Sequence, residues 1–151
     1  MNFLKHRILK NLTVVNYLLI LFFFFYSVFV IRYHYDGHHI GLIYSNATDL
    51  INGKLPYKEI FIQYGFLTTL IHSIILFLFE NKIFFISFFT CVFYSLTIFF
   101  ISKSIKNFVN IDYALIGSLI ILMNHPVPWL PWSNYLAFFF IIINLQMKLF
   151  F

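Results

Sequence analysis

Long apolar segments alternate with short polar connections along this chain. The first segment, residues 12–31, contains no charged residue, and as a helix rising 1.5 Å per residue it extends about 30 Å, the thickness of the hydrocarbon core of a bilayer. Further apolar segments follow in the second half of the chain. The pattern predicts an all-α membrane protein of one domain with about four transmembrane helices, at residues 12–31, 83–101, 113–124 and 135–151.

A shorter apolar segment, residues 65–79, leaves the number of spans open. As a helix it extends only about 22 Å, and it contains His72. If it crosses the membrane, the protein has five spans, and Lys103 and Lys106 lie on the outer side. If it is a juxtamembrane or re-entrant helix, both lysines join the three basic residues before the first helix in the cytoplasm, as the positive-inside rule favours. We therefore prefer four spans and a cytoplasmic N-terminus.

The polar loop between the first two predicted spans, residues 32–82, has its own helical pattern. Apolar residues recur at helical spacing on one side, and polar residues occupy the other. The pattern predicts an interfacial amphipathic helix at about residues 39–52, with Asp36 as its N-cap, Gly53 at C′ and Pro56 preventing its continuation. The apolar face comprises Ile40, Ile43, Tyr44, Ala47, Leu50 and Ile51, and the polar face comprises Ser45, Asn46, Thr48, Asp49 and Asn52.

The rest of this loop connects the amphipathic helix to the second predicted span. Residues 54–64 mix charges, a proline and aromatics without a helical period, which predicts an extended segment tethered along the membrane surface. Residues 65–79 then form the second interfacial helix of the loop in the four-span arrangement. The outer loop is therefore expected to carry two membrane-hugging helices.

The composition agrees with a membrane protein. Of the 151 residues, 62% are hydrophobic and 10% are charged, whereas soluble domains have about 45–50% apolar and about 25% charged residues. The formal net charge of +5 is carried by short basic clusters at segment ends, which is typical of topology signals, so no nucleic-acid partner is predicted. Cys91 is the single cysteine and forms no intrachain disulfide.

The densest polar cluster follows the first predicted helix and contains Arg32, His34, Asp36, His38 and His39. Asp36 has two interpretations: a carboxylate that accepts a proton or holds a divalent cation near a phosphate, or simply the cap of the next helix. Arg32 either extends to lipid headgroups or grips a lipid phosphate. In an extended stretch His34, Asp36 and His38 share one face, a spacing compatible with a metal, although interfacial hydrogen bonding is favoured.

A second cluster, residues 124–134, holds both tryptophans and three of the four prolines. Trp129 and Trp132 are interpreted either as an aromatic belt at the membrane boundary or as a platform for sugar rings and isoprenoid tails. In the four-span arrangement this cluster lies on the same side of the membrane as Asp36. The two clusters would then line one cavity.

Residues 33–79 resemble the first outer loop of the GT-C superfamily of polytopic glycosyltransferases. The similarity is one of arrangement: an acidic residue just past the first helix, an amphipathic helix, and then the stretches DL, GKLPY and QYGFL at residues 49–50, 53–57 and 63–67. The family transfers a sugar from a polyprenyl-phosphate donor at the outer membrane face. The resemblance also implies that the helix after Gly65 is juxtamembrane, in agreement with the distribution of charges.

Carried over to this chain, the resemblance implies a catalytic Asp36 that accepts the proton of the acceptor hydroxyl. Stabilisation of the departing phosphate would come from Arg32 or a divalent cation. The substrate-binding residues would be Arg32, His38, His39, Gln63, Tyr64, Trp129 and Trp132. The expected partners are membrane lipids and a polyprenyl-phosphate-linked sugar.

This chain departs from the family in two respects. Asp36 is followed by glycine and two histidines instead of a second acidic residue, and family members have more helices and further basic loops. The chain is therefore expected to be either the N-terminal portion of such an enzyme or a degraded copy of one. The alternative is a non-enzymatic membrane protein, such as an accessory or transport subunit for lipid-linked glycans.

Overall fold

The computed structural model describes residues 2–33, 36–80, 82–108, 111–124, 130–131 and 133–150. Six α-helices lie in these ranges, and the β interaction seen there is an isolated bridge between Pro56 and Ile60. The predicted all-α class is confirmed. In chain order the helices are α1 Asn2–Val30, α2 His39–Ile51, α3 Phe66–Leu78, α4 Phe84–Phe108, α5 Ile111–Asn124 and α6 Ser133–Phe150.

The long helix α4 is the centre of a bundle and packs against α1, α5 and α6. The core of the bundle combines apolar side chains from all four helices with two tyrosine rings, which meet edge to face at 5.1 Å. Its buried members are Ile20, Tyr94, Ile98, Leu122 and Tyr135. Helices that pack in this way each need an apolar stripe facing the core, and the apolar segments of the sequence provide these stripes.

α1 and α4 run antiparallel. The Asn16 amide at the middle of α1 donates a hydrogen bond to the Ser102 hydroxyl near the end of α4. At the opposite end of the pair, the rings of Phe24 and Phe88 lie 6.1 Å apart. The chain therefore leaves α1 and enters α4 at the same end of the bundle.

α6 runs parallel to α4, and α5 runs antiparallel to it. Phe139 near the start of α6 contacts Phe93 with ring centroids 5.0 Å apart, and Gln146 further along donates to the carbonyl oxygen of Phe100 at 3.2 Å. In the last turn of α5, the carbonyl oxygen of Ile121 accepts a hydrogen bond from the Tyr94 hydroxyl at 3.1 Å. The ends of α1 and α5 and the starts of α4 and α6 thus lie together, and we call this the loop-bearing end.

α2 and α3 form a hairpin that docks at the loop-bearing end. Ile43 and Ala47 of α2 pack against Leu76 of α3 and Ile86 in the first turn of α4. All four side chains are buried. α1 ends and α4 begins at the same end of the bundle. The segment that joins them starts and finishes there, so α3 does not cross the length of the bundle.

The end of α2 has the geometry that its glycine predicts. Gly53 has a φ of 82°, its N–H bonds to the carbonyl of Leu50 at 3.1 Å, and the Lys54 N–H bonds to the carbonyl of Asp49 at 3.1 Å. This pair of bonds is a Schellman motif with Gly53 at C′. The Lys54 ammonium also lies 2.7 Å from the Asp49 carboxylate. The predicted helix end is confirmed.

Two details of the predicted outer loop are wrong. Asn46 was placed on the polar face of α2, but it is buried and donates from Nδ2 to the carbonyl of Phe61 at 2.8 Å. The segment after α2 is not extended throughout, because the Glu59 N–H bonds to the Leu55 carbonyl at 2.9 Å and the Glu59 carboxylate accepts the Leu55 N–H at 2.7 Å. Tyr57 has a φ of 62° within this turn. The hydrogen bond from the buried Asn46 amide to a loop carbonyl explains why this residue departs from the amphipathic pattern.

α3 has an inverted distribution of polarity. Its buried face includes the polar side chains Thr68, Thr69, His72 and Ser73, whereas its exposed face carries Leu67, Ile74, Phe77 and Leu78. Two of the buried hydroxyls bond to helix carbonyls one turn earlier. A helix in water normally shows the reverse arrangement.

Two helices are long and apolar enough to cross a membrane by length and composition, over Thr13–Val30 in α1 and Phe84–Lys106 in α4. α1 begins at Asn2 and α4 continues to Phe108, so both are longer than predicted. The apolar parts of α3, α5 and α6 are shorter. Length alone therefore supports two of the four predicted spans.

Candidate functional site

Asp36 starts the first turn of α2 at the loop-bearing end. Its Oδ1 accepts the backbone N–H groups of His38 and His39 at 3.0 and 3.1 Å, and its carbonyl oxygen accepts the N–H of Ile40 at 3.0 Å. These bonds satisfy N–H groups that have no partner within a helix. Asp36 thus makes the capping hydrogen bonds predicted for it, although the residue directly before the helical range is His38, which makes no side-chain capping bond.

The second carboxylate oxygen of Asp36 pairs with an imidazole. Asp36 Oδ2 lies 2.6 Å from His39 Nδ1, with the two side chains 34% and 36% exposed. The backbone N–H of His39, followed by its side chain, holds the pKa of Asp36 below its ordinary value of 3.8. Asp36 is therefore ionised at neutral pH, and an ionised carboxylate favours the His39 tautomer that carries its proton on Nδ1.

The other predicted site residues in the described ranges have different surroundings. Arg32 and His38 are exposed, and the His38 ring meets the His39 ring edge on at 5.0 Å. Gln63 is exposed, whereas Tyr64 is partly buried against the apolar contact between α2 and α3. The structure thus brings His38 and His39 to Asp36, while Tyr64 belongs to the packing of the hairpin.

A cavity of about 310 Å³ lies between the starts of α3 and α6. Tyr64, Gly65 and Thr68 line it on one side, and Ser133 and Leu136 line it on the other. The lining residues come from the first turns of both helices and from the residues just before α3. The cavity places hydroxyl groups beside an apolar wall, an arrangement suited to a ligand with polar and apolar parts.

A second cavity, of about 300 Å³, lies between α1 and α4 within the long apolar segments. Its walls include Ile20, Leu21 and Phe24 from α1 and Val92 and Phe99 from α4. It offers few polar groups and no titratable carboxylate or imidazole among its lining residues. It has no part in the chemistry assigned to Asp36.

Several predictions concern residues outside the described ranges. Trp129, Trp132 and His34 are among these, so neither the tryptophan platform nor the arrangement of His34, Asp36 and His38 is described. Within the ranges that the structure covers, no three His, Cys, Asp or Glu side chains are grouped to hold a metal ion. The Asp36 carboxylate already accepts three hydrogen bonds out of about four acceptor positions, which fits a divalent cation poorly.

Sequence reasoning missed two of the contacts that organise this region. It assigned His39 to substrate binding and not to a pairing with Asp36, although a spacing of three residues at a helix start brings such side chains together. It also missed the Tyr57 hydroxyl, which accepts the N–H of Phe66 at 3.2 Å and caps the start of α3. No local pattern marks Tyr57 for that role.

No family model, curated protein or solved structure matches this chain. The resemblance to GT-C glycosyltransferases therefore rests only on the sequence of residues 33–79.

Proposed function

We propose that this chain is an integral membrane protein in which α1, α4, α5 and α6 are the transmembrane helices. The N-terminus is cytoplasmic and the loop-bearing end faces the outer side. The alternating directions of the four helices support this topology, since each successive crossing reverses the chain. Lys103 and Lys106, near the other end of α4, then lie in the cytoplasm, in accord with the positive-inside rule. The shorter α5 and α6 are accommodated by local thinning of the bilayer.

The surface of the bundle supports a lipid environment. Large apolar side chains of α1 are exposed around much of the helix, among them Leu18, Phe22, Phe25 and Phe29. Contiguous apolar surface of this extent is unfavourable in water and favourable against acyl chains. The inverted polarity of α3 has the same explanation if its apolar face, including Phe77, contacts the outer leaflet.

The activity we propose is the transfer of a sugar from a polyprenyl-phosphate donor to an acceptor hydroxyl at the outer face. The observation that carries it is the pair of Asp36 and His39 at the loop-bearing end, where the bilayer meets water. Transfer requires removal of the acceptor proton as the sugar leaves its phosphate, and a carboxylate with an imidazole is equipped for that step. The partners are membrane lipids and the lipid-linked sugar.

Other residues at this end have roles that suit such a substrate. Arg32, His38 and Gln63 are exposed; in the proposed reaction Arg32 would meet the lipid phosphate, and His38 and Gln63 would contact the acceptor. Leu130, which lies between the two tryptophans in the sequence, packs against Val30 and Cys91 near the end of α1.

The proposal is tested with Asp36→Asn. Asparagine is as good a helix cap as aspartate, so the variant removes the charge while keeping the start of α2. The full chain is reconstituted in liposomes with radiolabelled polyprenyl-phosphate sugars, and glycan transfer is measured. We expect the rate to fall at least about 100-fold, the usual contribution of acid–base catalysis.

The matched control is Asp49→Asn, which removes a carboxylate that pairs with Lys54 on the surface of α2. This variant should keep the wild-type rate. Unchanged transfer by Asp36→Asn contradicts the catalytic role of Asp36. Absence of transfer by the wild-type chain over the panel of donors contradicts the activity itself and favours the accessory or transport role.

A further inference from the structure

We propose that His39 accepts the proton of the acceptor hydroxyl and that Asp36 is its positioning residue. This inference rests on the proposed sugar transfer and specifies which atom acts in it. The resemblance to GT-C glycosyltransferases implies that Asp36 accepts this proton, whereas the geometry points to His39 Nε2.

Both carboxylate oxygens of Asp36 are engaged within the protein. Oδ1 accepts two backbone N–H groups, from His38 and His39, and Oδ2 pairs with the His39 ring. Hydrogen bonds of this kind stabilise the charged form of a carboxylate, so they lower its pKa and weaken it as a base. With three of about four acceptor positions occupied, Asp36 has about one position left for a substrate proton, and the bonds it already makes disfavour its protonated form.

The His39 ring is fixed relative to Asp36 by two attachments. The backbone N–H of His39 bonds to Oδ1 at 3.1 Å and its Nδ1 lies 2.6 Å from Oδ2. In addition, the ring of His38 stands edge on to it, with an interplanar angle of 85°. Because Nδ1 faces the carboxylate, Nε2 on the far side of the ring points away from Asp36. With the proton on Nδ1, Nε2 has the basic lone pair.

The reaction balances with these groups. The acceptor oxygen forms a bond to the anomeric carbon of the sugar, and the bond from that carbon to the phosphate oxygen of the polyprenyl-phosphate donor breaks. The phosphate leaves with the bonding electron pair. The acceptor proton moves to His39 Nε2, and the imidazolium that results is stabilised by the Asp36 carboxylate.

The tautomer of His39 tests the positioning role without any substrate. The full chain is labelled with ¹⁵N-histidine, placed in nanodiscs at about pH 8, where an ordinary histidine is neutral, and analysed by long-range ¹H–¹⁵N correlation. We expect the Nδ1–H tautomer for His39. In Asp36→Asn the amide oxygen keeps the cap and the NH₂ group faces the ring, so His39 should change to the Nε2–H tautomer. His38→Asn assigns the signals and should leave His39 unchanged.

Kinetics test the proton transfer itself. In His39→Asn the side-chain amide still donates to Asp36, so the cap and the carboxylate stay in place while the base is lost. We expect kcat for glycan transfer to fall at least about 100-fold with KM nearly unchanged, and Asp49→Asn, which removes only the surface pair with Lys54, to keep the wild-type kcat. Near-normal transfer by His39→Asn overturns the proposal and leaves Asp36 as the group that accepts the acceptor proton.

The outcomes separate this inference from the proposed function. Absence of transfer by the wild-type chain overturns the function and, with it, the reaction assigned to His39. An Nε2–H tautomer in a wild-type chain that does transfer sugar overturns the His39 assignment alone.

Discussion

At the scale of single residues, His72 is the buried ionisable group of the α2 and α3 hairpin. Its side chain is 2% exposed, and Nδ1 has no hydrogen-bond partner. Burial lowers the pKa of His72 from 6.5 to about 4, because a low-dielectric environment disfavours the imidazolium. His72 is thus neutral in the folded protein over most of the physiological range.

This burial predicts a pH dependence of stability. Between pH 6.5 and about 4 the unfolded chain binds a proton at His72 and the folded chain does not, so the free energy of unfolding should fall as the pH decreases through this range and level off below it. The loss amounts to at most about 3 kcal/mol. Denaturation in mixed detergent micelles at several pH values measures it.

The control for this prediction is His72→Gln, which keeps a polar side chain without a titrating group. The variant should lose the slope between pH 6.5 and about 4. It should keep the separate loss at lower pH that is due to Asp36, whose stabilising charge disappears only as the pH falls through a pKa below 3.8. An unchanged slope in His72→Gln would refute the assignment to His72.

At the scale of helices, the hairpin of α2 and α3 is held to the bundle by a small apolar contact. Leu76 is fully buried in that contact, against Ala47 and Ile86. Leu78, two residues later in the same helix, is 66% exposed. The two leucines therefore offer the same substitution in opposite environments.

We expect Leu76→Ala to destabilise the protein by about 2–5 kcal/mol, because it leaves a cavity between three helices. Leu78→Ala should change the stability by less than about 0.5 kcal/mol, since it alters only an exposed face. Both free energies of unfolding are measured in mixed detergent micelles. Equal effects of the two substitutions would show that the hairpin is not packed as described.

At the scale of the whole molecule, the antiparallel pairing of α1 with α4 controls the topology. It brings the hairpin of α2 and α3 to one end of the bundle, whatever the length of α3. In the proposed topology, Lys82 and Lys106 therefore lie on opposite sides of the membrane. Both side chains are exposed, so each position is suitable for labelling.

The topology predicts the labelling of single cysteines in intact cells. In a Cys91→Ser background, Lys82→Cys should react with a membrane-impermeant maleimide added outside, and Lys106→Cys should react only after the membrane is permeabilised. The second variant is the internal control for membrane integrity. Reaction of Lys106→Cys from outside in intact cells would contradict the four-span arrangement.

Local signals in the sequence predicted the helices and the residues that cap the two ends of α2. The capping role of Asp36 and the position of Gly53 at C′ depend on hydrogen bonds that reach only a few residues along the chain. The pairing of Asp36 with His39 is equally local, but it depends on the rotamers of both side chains. Residue spacing restricts those rotamers without selecting one, so the candidate base was not identifiable from the sequence.

By itself, the sequence determined that the chain is helical and apolar, where α2 begins and ends, and which acidic residue caps its first turn, because periodicity and capping act over one or two turns. The tertiary structure decided that α4 is central, that Asn46 is buried against Phe61, and that a cavity separates the starts of α3 and α6. These features join residues distant in the chain. They follow from how whole helices pack, which no local pattern specifies.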